Sequence, residues 1–241
     1  MTGASRGIGR AIAERLAADG VEVGVHFNSD KAGAEETLAR LGRGFLVGAE
    51  LGVPGDVDGL VSQLEAGLAG RPLDILVNNA AAPPAGPIET DTVDAFDRLF
   101  AVNVRAPYFL IQRVLPLLRD GGRIISVSSV ATRMANPTQT SFAMTKAALE
   151  TMTLTLAQSL GPRRITVNAV APGATRTDAN AAFFEASGLT DAITALTALN
   201  RLGRAEDVAD VVAFLASDQA RWITAQTLDA SGGLFLGPRV A

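Results

Sequence analysis

The amino-acid sequence predicts an α/β fold, with a doubly wound parallel sheet in a single domain that spans residues 1–241. Short β-branched runs alternate with stretches of helical length, and several of the runs are apolar on both faces. Parallel strands that are covered by helices on both sides have this character. The alternation is that of successive βαβ units, and a chain of this size commonly forms one open α/β domain.

Strands are predicted, in chain order, at 21–27, 44–49, 73–79, 122–129 and 164–172. The amphipathic stretches between and around them predict helices at 8–19, 31–41, 56–70, 91–119, 140–160 and 205–217. The prolines and glycine of AAPPAGP at 81–87 predict a loop. Segment 174–200 is irregular and follows the carboxyl end of a strand, where open α/β sheets bind ligands, so we expect it to form a substrate lid.

The composition limits the classes of function. The chain contains no cysteine, which excludes disulfides, thiolate metal ligands and a cysteine nucleophile. His26 is the only histidine, so a Ser-His-Asp triad could be built only on that residue. No metal site is predicted. The net charge is −4 and the basic residues are scattered, so we expect no nucleic-acid partner.

Neither a membrane segment nor an export signal is predicted. No uninterrupted apolar run reaches spanning length. Arg6, Arg10, Glu14 and Arg15 lie where a secretory signal would need a continuous apolar stretch. We therefore expect a cytoplasmic protein that acts on a small molecule and has no membrane partner.

A glycine-rich stretch, TGASRGIGRAIAERLA, opens the first predicted helix. Gly3, Gly7 and Gly9 lie just before and within its first turn. Glycines let the backbone approach a pyrophosphate closely, and a helix N-terminus supplies free N–H donors and a favourable dipole. The stretch predicts a phosphate-binding loop, for which turn or packing glycines are the alternative.

Further motifs follow the glycine loop in a fixed order. They are NNA at 78–80, Ser129, Lys146 and APG at 171–173. Over practically the whole chain this order resembles the classical short-chain dehydrogenase/reductase family, which implies a Rossmann-type fold that binds a nicotinamide dinucleotide. The residues that the resemblance places at the cofactor are Gly3, Ser5, Arg6, Gly7, Ile8, Gly9, Asn28, Ser29, Glu50, Leu51, Asn79, Ala80, Lys146, Pro172, Gly173, Thr175 and Thr177.

The start of the chain departs from the family pattern. In the family, the glycine loop follows a central strand of about six residues. Here only Met1 and Thr2 precede Gly3. A missing central strand would leave its neighbours with unpaired backbone groups. We therefore expect that the first strand is truncated and that the natural protein begins further upstream.

The end of the second family strand indicates which dinucleotide is bound. Asn28 falls at the family's discriminating position, Ser29 follows it, and Arg6 lies where NADP-preferring members carry a basic residue. A 2′-phosphate requires a nearby cation and the absence of an acid, so NADP(H) is the expected cofactor. The alternative is that Arg6 is a solvated cation and Asp30 reaches the ribose. Glu50 replaces the aspartate that the family usually places near the adenine.

The resemblance also implies a catalytic set. In the family, a serine after a strand is followed thirteen residues later by a tyrosine, and a lysine lies four residues beyond. Ser129, Phe142 and Lys146 occupy these positions, and Asn103 matches the helix asparagine that anchors a water chain to the lysine. Phenylalanine therefore stands in place of the catalytic tyrosine.

The i to i+4 spacing places Phe142 and Lys146 on one helical face. A tyrosine has a pKa of about 10, and a nearby ammonium favours its phenolate, so such a pair can exchange a proton during carbonyl reduction. Phe142 keeps the ring and removes the hydroxyl. We expect binding to be retained and turnover to lose the ~10²–10⁴-fold that acid–base catalysis contributes.

Two main interpretations of Phe142 remain open. In the first, the chain is an NADP(H)-dependent carbonyl reductase, of the ketone or 3-oxoacyl type, whose tyrosine was replaced in the laboratory. In the second, it is a natural non-redox relative that binds the cofactor as a partner or regulator, or catalyses a reaction that needs no phenol. Ala81 and Ala225, in place of the glycines usual in NNAG and ITGQ, favour the second.

The predicted lid suggests the character of the substrate. Phe183, Phe184, Leu189, Ile193 and Leu196 are apolar. We therefore expect an apolar carbonyl or alcohol substrate, with a hydrophobic ketone preferred; acyl-carrier-protein thioesters, sugars, polyketide ketones and steroids remain open.

Because the helices at 91–119 and 140–160 pack across a dimer axis in the family, the resemblance implies a homodimer or homotetramer. A plain scaffold protein is a third class, supported only by apolar stripes on these helices.

Overall fold

The computed structural model describes residues 1–178 and 180–236, without the side chains of Phe183, Ala186 and Ser187. Its strands, in chain order, are β1 (Val23–Phe27), β2 (Gly44–Gly48), β3 (Leu73–Asn78), β4 (Leu118–Val127), β5 (Thr166–Pro172), β6 (Thr175–Arg176), β7 (Gly203–Arg204) and β8 (Thr227–Ala230). Its α-helices are α1 (Gly7–Ala18), α2 (Lys31–Leu41), α3 (Asp56–Leu68), α4 (Val93–Phe100), α5 (Ala106–Val114), α6 (Thr140–Leu160), α7 (Ala181–Ser187), α8 (Leu189–Leu196) and α9 (Ala205–Ala216).

All strand pairs of the main sheet are parallel. One part has the order β1-β2 and the other has the order β3-β4-β5-β8. Residues 1–4 join the two parts: the Thr2 N–H donates to the Val77 carbonyl oxygen at 3.0 Å, and the Ala4 N–H donates to the His26 carbonyl oxygen at 2.9 Å. The expected central strand is thus represented by this short segment. The predicted doubly wound parallel sheet is confirmed.

Two apolar cores cover the two faces of the sheet. On one face, Ile12 of α1 and Val212 of α9 pack in the same core as Val25 of β1. On the other face, α3, α5 and α6 contribute, with Leu110 of α5 fully buried beside Ile124 of β4. The sheet therefore lies between two helical layers, and its strand ends are left to form the functional site.

The helix predicted at 91–119 is interrupted. After α4 the chain makes a π-helical turn at Ala101–Arg105, where the Ala106 N–H bonds to the Ala101 carbonyl oxygen, before α5 begins. Pro107, in the first turn of α5, has no N–H with which to continue the regular α-helical ladder, and a wider turn accommodates this. The last residues of the predicted helix belong to β4.

The described part of segment 174–200, which leaves out residue 179, has regular secondary structure where an irregular lid was expected. It contains α7 and α8, and β6 pairs with β7 beyond it. The side chain of Phe183, which was expected in the apolar lid surface, lies outside the described residues. Within residues 1–178 and 180–236, none of the helices combines the length and apolar character needed to cross a membrane.

Candidate active site

A cleft of about 970 Å³ lies at the carboxyl ends of the parallel strands. Its walls include residues that lie one or two positions after the ends of four strands: Asn28 after β1, Asn79 after β3, Ser129 after β4 and Gly173 after β5. The glycine loop lies along the same cleft, as do Phe142 and Lys146 of α6. The fold therefore brings most of the residues predicted to bind cofactor and substrate into one continuous space.

The glycine loop has the tight backbone that a phosphate cradle requires. Gly3 and Gly7 have φ angles of +65° and +56°, in the left-handed region that favours glycine. A Cβ atom on Gly9 would lie 1.9 Å from the Gly3 carbonyl oxygen, so no other residue fits there. Ser5, Arg6, Gly7, Ile8 and Gly9 all line the cleft. The residues present therefore fit the diphosphate of a dinucleotide.

The segment after β3 supports this loop. The Asn79 side-chain amide donates to the carbonyl oxygens of Thr2 and Gly3, both at 3.0 Å. The Thr2 hydroxyl oxygen accepts the backbone N–H groups of Asn79 at 2.9 Å and Ala80 at 3.1 Å. Asn79 and Ala80 therefore lie at the cleft, as predicted, and their contacts give them a role in shaping the glycine loop.

His26 also supports the glycine loop, a contact that sequence analysis missed. Its Nδ1 atom accepts the Gly3 N–H at 3.0 Å, and its Nε2 atom lies 3.1 Å from the Ala49 carbonyl oxygen. These partners require a neutral ring with the proton on Nε2. Burial, followed by the nearby amino terminus, lowers the pKa of His26 to about 4. The position of His26 on β1, beside the loop, was the only sequence signal.

At the expected ribose end, Asn28, Ser29 and Arg6 all line the cleft, and Arg6 is exposed. Asp30 lines it too, but its Oδ1 atom accepts the Gly33 N–H at 2.9 Å and caps α2. The Asp30 carboxylate is therefore used in helix capping, which weakens the alternative in which it binds the ribose.

Glu50 and Leu51 do not line this cleft. The Glu50 carboxylate lies 3.0 Å from the Arg98 guanidinium, and Leu51 is buried in the core shared with α3 and α5. Their assignment to the adenine site stays a prediction, and the structure does not bring them together with the glycine loop.

At the other end of the cleft, α6 positions Phe142 and Lys146 on one face, and the segment after β4 positions Ser129. The Lys146 Nζ atom donates to the Val127 carbonyl oxygen at 2.9 Å, which uses one of its three donors. Burial lowers the pKa of Lys146 to about 8. Ser129 Oγ accepts the Ala131 N–H at 3.1 Å, so its own proton stays available to a ligand.

Asn103 lies in the π-helical turn and is buried. Its Oδ1 atom accepts the Ala82 N–H at 2.7 Å, and its Nδ2 atom donates to Thr145 Oγ1 at 3.2 Å. The Thr145 hydroxyl in turn donates to the Phe142 carbonyl oxygen at 2.7 Å. Asn103 thus contacts α6 through Thr145 rather than through Lys146, and its predicted role in a water chain to the lysine stays a prediction.

The remaining predicted residues follow β5. Pro172, Gly173, Thr175 and Thr177 line the cleft. A Cβ atom on Gly173 would lie 2.8 Å from Ser231 Cβ, so the backbone there passes close to the segment after β8. The predicted border of the nicotinamide site is therefore part of the same cleft.

The described lid side chains complete the walls. Phe184, Leu189, Ile193 and Leu196 of α7 and α8 line the same cleft as Phe142, together with further apolar side chains such as Met134. Among the described residues that line the cleft, the lysine and arginine side chains are those of Lys146 and Arg6.

Comparison with known proteins agrees with this arrangement. A family model for enoyl-(acyl carrier protein) reductases matches residues 3–235. The chain belongs to the short-chain dehydrogenase/reductase family, in its classical form.

Individual relatives match over nearly the whole chain. An uncharacterized oxidoreductase of Methylorubrum extorquens is 41% identical over 97% of this chain and 96% of its own length. The 3-oxoacyl-[acyl-carrier-protein] reductase FabG of Staphylococcus epidermidis is 36% identical over 98% of both chains. The crystal structure of the angucycline C-6 ketoreductase LanV with bound NADP is 49% identical, has a TM-score of 0.93, and covers 98% of this chain and 94% of its own.

Proposed function

We propose that this chain is an NADP(H)-dependent carbonyl reductase, of the ketone or 3-oxoacyl type, whose proton transfer is impaired by Phe142. The observation that carries the proposal is the single cleft that joins the glycine loop to Ser129, Phe142 and Lys146. The bound cofactor would supply the hydride.

The charges at the ribose end support NADP(H). Arg6 is exposed at the cleft, and Asn28 and Ser29 present no carboxylate to repel a 2′-phosphate. The capping contact of Asp30 keeps its charge at the start of α2. Arg6 would hold the 2′-phosphate, since a guanidinium pairs well with that group. The relative LanV was crystallised with bound NADP.

The residues at the reactive end have distinct tasks. Ser129 would donate its hydroxyl proton in a hydrogen bond to the carbonyl oxygen of the substrate. Lys146, held at Val127, would bind the nicotinamide ribose with its free N–H donors. Phe142 would pack against the substrate without supplying a proton, so turnover would be slow.

The walls favour a hydrophobic ketone. Phe184, Leu189 and Ile193 give the substrate side an apolar surface. Of the relatives, LanV is an angucycline C-6 ketoreductase and FabG is a 3-oxoacyl-[acyl-carrier-protein] reductase. An apolar ketone fits these lid side chains. Residues 1–241 would form a single cofactor-binding domain, in which segment 174–200 is the lid that would close over the substrate.

A second candidate function is cofactor binding without redox turnover, and Phe142 is the observation that favours it. In this case, the dinucleotide would serve as a structural or regulatory ligand, or the site would catalyse chemistry that needs no phenol. The two candidates differ in one respect: only a reductase is expected to gain activity when a tyrosine is restored at position 142.

Assembly and location are further parts of the proposal. Tyr108 and Phe109 of α5 and Met144 and Leu154 of α6 are exposed apolar side chains, which supports a homodimer or homotetramer through these helices. Light scattering coupled to size exclusion tests this assembly. The cytoplasmic location stays a prediction, which fractionation of the native cells tests.

The proposed function is tested by titrating the protein with NADPH and NADH and following cofactor fluorescence. We expect saturable NADPH binding, weaker NADH binding, and slow NADPH oxidation when hydrophobic ketones are added. Failure to bind NADPH, or NADH binding equal to it, would overturn the cofactor assignment.

A further inference from the structure

Glu150 lies on α6 one turn beyond Lys146, on the helical face that also carries Phe142. Its Oε1 atom accepts a hydrogen bond from Ser128 Oγ at 2.6 Å and another from Thr132 Oγ1 at 2.9 Å. The two donors precede and follow Ser129 in the segment after β4. One carboxylate oxygen of α6 is therefore tied to both sides of Ser129.

The Glu150 carboxylate is the strongest hydrogen-bond acceptor near the hydroxyls of Ser128 and Thr132. The other acceptor near Ser128 Oγ is the Lys146 carbonyl oxygen at 3.5 Å, which is too long to compete with a bond of 2.6 Å. The Thr132 hydroxyl has one proton and two acceptors, Glu150 and the Ser129 carbonyl oxygen at 3.0 Å. Hydrogen bonds to a carboxylate are stronger than those to a neutral acceptor.

The side-chain hydrogen bonds of Ser129 itself stay within its own segment. Its Oγ atom caps the short 3₁₀ turn Val130–Thr132 through the Ala131 N–H, a bond within the same segment. The Ser128 N–H donates to the Val170 carbonyl oxygen at 2.7 Å, which fixes the segment to β5. The Lys146 Nζ bond to the Val127 carbonyl oxygen holds α6 to the end of β4. The Glu150 contacts add a second link, on both sides of Ser129, between this segment and the helix that carries Phe142 and Lys146.

We propose that Glu150 is a positioning residue that holds Ser129 in register with Phe142 and Lys146. Glu150 does not line the cleft, so it acts through Ser128 and Thr132 rather than on the ligand. The expected effect of Glu150 on kcat rests on the proposed carbonyl reduction. Its expected effect on the position of Ser129 does not depend on that function.

The kinetic test uses the Phe142→Tyr background, in which turnover is measurable. Glu150→Gln keeps an acceptor oxygen at the same place, and Glu150→Met keeps the length of the side chain without an acceptor. We expect Glu150→Met to lower kcat by about tenfold or more, with NADPH affinity unchanged, because small displacements of a reacting group are costly. We expect Glu150→Gln to restore kcat to within about threefold. Glu65→Met, on the exposed side of α3, is the matched control.

Equal kcat values for Glu150→Met and the control would overturn the proposal. An equal loss in Glu150→Gln and Glu150→Met would also overturn it, because the acceptor would then not be the feature that matters. If Glu150→Met fails to fold, the double variant Ser128→Ala with Thr132→Val removes the same two bonds and is expected to give the same loss of kcat.

A crystal structure of Glu150→Met in the unaltered Phe142 chain tests the role without any activity. We expect the Ser129 side chain to be displaced relative to α6, and the Thr132 hydroxyl to bond only to the Ser129 carbonyl oxygen. An unmoved Ser129 would refute the positioning role. If Phe142→Tyr reduces no carbonyl, the proposed function fails, while this structure still decides the role of Glu150.

Discussion

The Nζ atom of Lys146 lies 5.4 Å from the centroid of the Phe142 ring, over its face. An ammonium in this position is attracted by the ring electrons, so Phe142 stabilises the charge of the lysine. Phe142 has no hydroxyl that could exchange a proton with the Lys146 ammonium group. The lysine and the ring therefore have the relative position that would activate a tyrosine hydroxyl, but Phe142 has no hydroxyl to activate.

Lys146 is expected to destabilise the folded protein, because its charge is buried. Burial lowers its pKa to about 8 in the folded chain, against 10.5 for an ordinary lysine. Between these values the unfolded chain binds more protons, so stability rises with pH, and below pH 8 the full penalty is present. Lys146→Met is expected to raise the free energy of unfolding at pH 7 by about 1–3 kcal/mol. Urea titrations at several pH values measure this.

The advantage of Lys146→Met is expected to shrink as the pH rises from about 8 to above 10.5. The same variant should bind NADPH more weakly, which separates stability from function. A variant less stable than the parent at pH 7 would show that the bond to Val127 outweighs the cost of burying the charge.

Arg6 is expected to determine the preference for the phosphorylated cofactor. Arg6→Ala removes the cation at the ribose end, and we expect NADPH affinity to fall by about 10–100-fold while NADH affinity changes little. Lys31→Ala is the matched control, because Lys31 is an exposed cation at the start of α2 that does not line the cleft. Fluorescence titration compares the two. An equal effect of both variants would assign the loss to general electrostatics.

His26 is expected to make the fold sensitive to mild acid. Its pKa of about 4 in the folded chain lies below its ordinary value of 6.5, so the unfolded chain takes up a proton first as the pH falls. Stability is therefore complete above pH 6.5 and falls towards pH 4, by about 3 kcal/mol at most.

His26→Asn keeps an acceptor for the Gly3 N–H and removes the titrating group. Chemical denaturation between pH 4 and 7 should show a shallower loss for this variant than for the parent. Parallel curves for the two proteins would contradict the assignment of a neutral, buried ring.

Ala225 is expected to be a strained residue. Its φ angle is +62°, in the left-handed region that a side chain disfavours. Ala225→Gly should raise the free energy of unfolding by about 0.5–1 kcal/mol. Ala66→Gly, on an exposed face of α3, is the control and should lower it by about the same amount. Denaturation midpoints check both, and a loss of stability in Ala225→Gly would refute the strain.

Elements with strong local signals could be predicted from the sequence. Helix α2 begins and ends where predicted, because Asp30 caps its start and Gly42, with a φ angle of +74°, ends it. Strand β8 was missed, because its polar–apolar alternation covers only four residues and includes one large apolar side chain, that of Leu228. The split between α4 and α5 depends on a π-helical turn that periodicity does not reveal.

The residues of the candidate site also divide into those with a local sequence signal and those whose contacts depend on tertiary packing. The motifs placed Ser129, Phe142 and Lys146 in one cleft, since their spacing is local to β4 and α6. The contacts of Glu150 with Ser128 and Thr132 could not be predicted, because they depend on how α6 packs against the segment after β4. Its spacing of four residues from Lys146 was the only available sign.

The most direct measurement is the rate of NADPH oxidation by Phe142→Tyr against a panel of hydrophobic ketones, compared with the unaltered chain. If a missing phenol oxygen is the one chemical defect of this site, the substitution should raise kcat by about 10²–10⁴-fold with little change in NADPH affinity. Unchanged turnover with every ketone, in a folded protein that still binds NADPH, would contradict the account and favour the non-redox function.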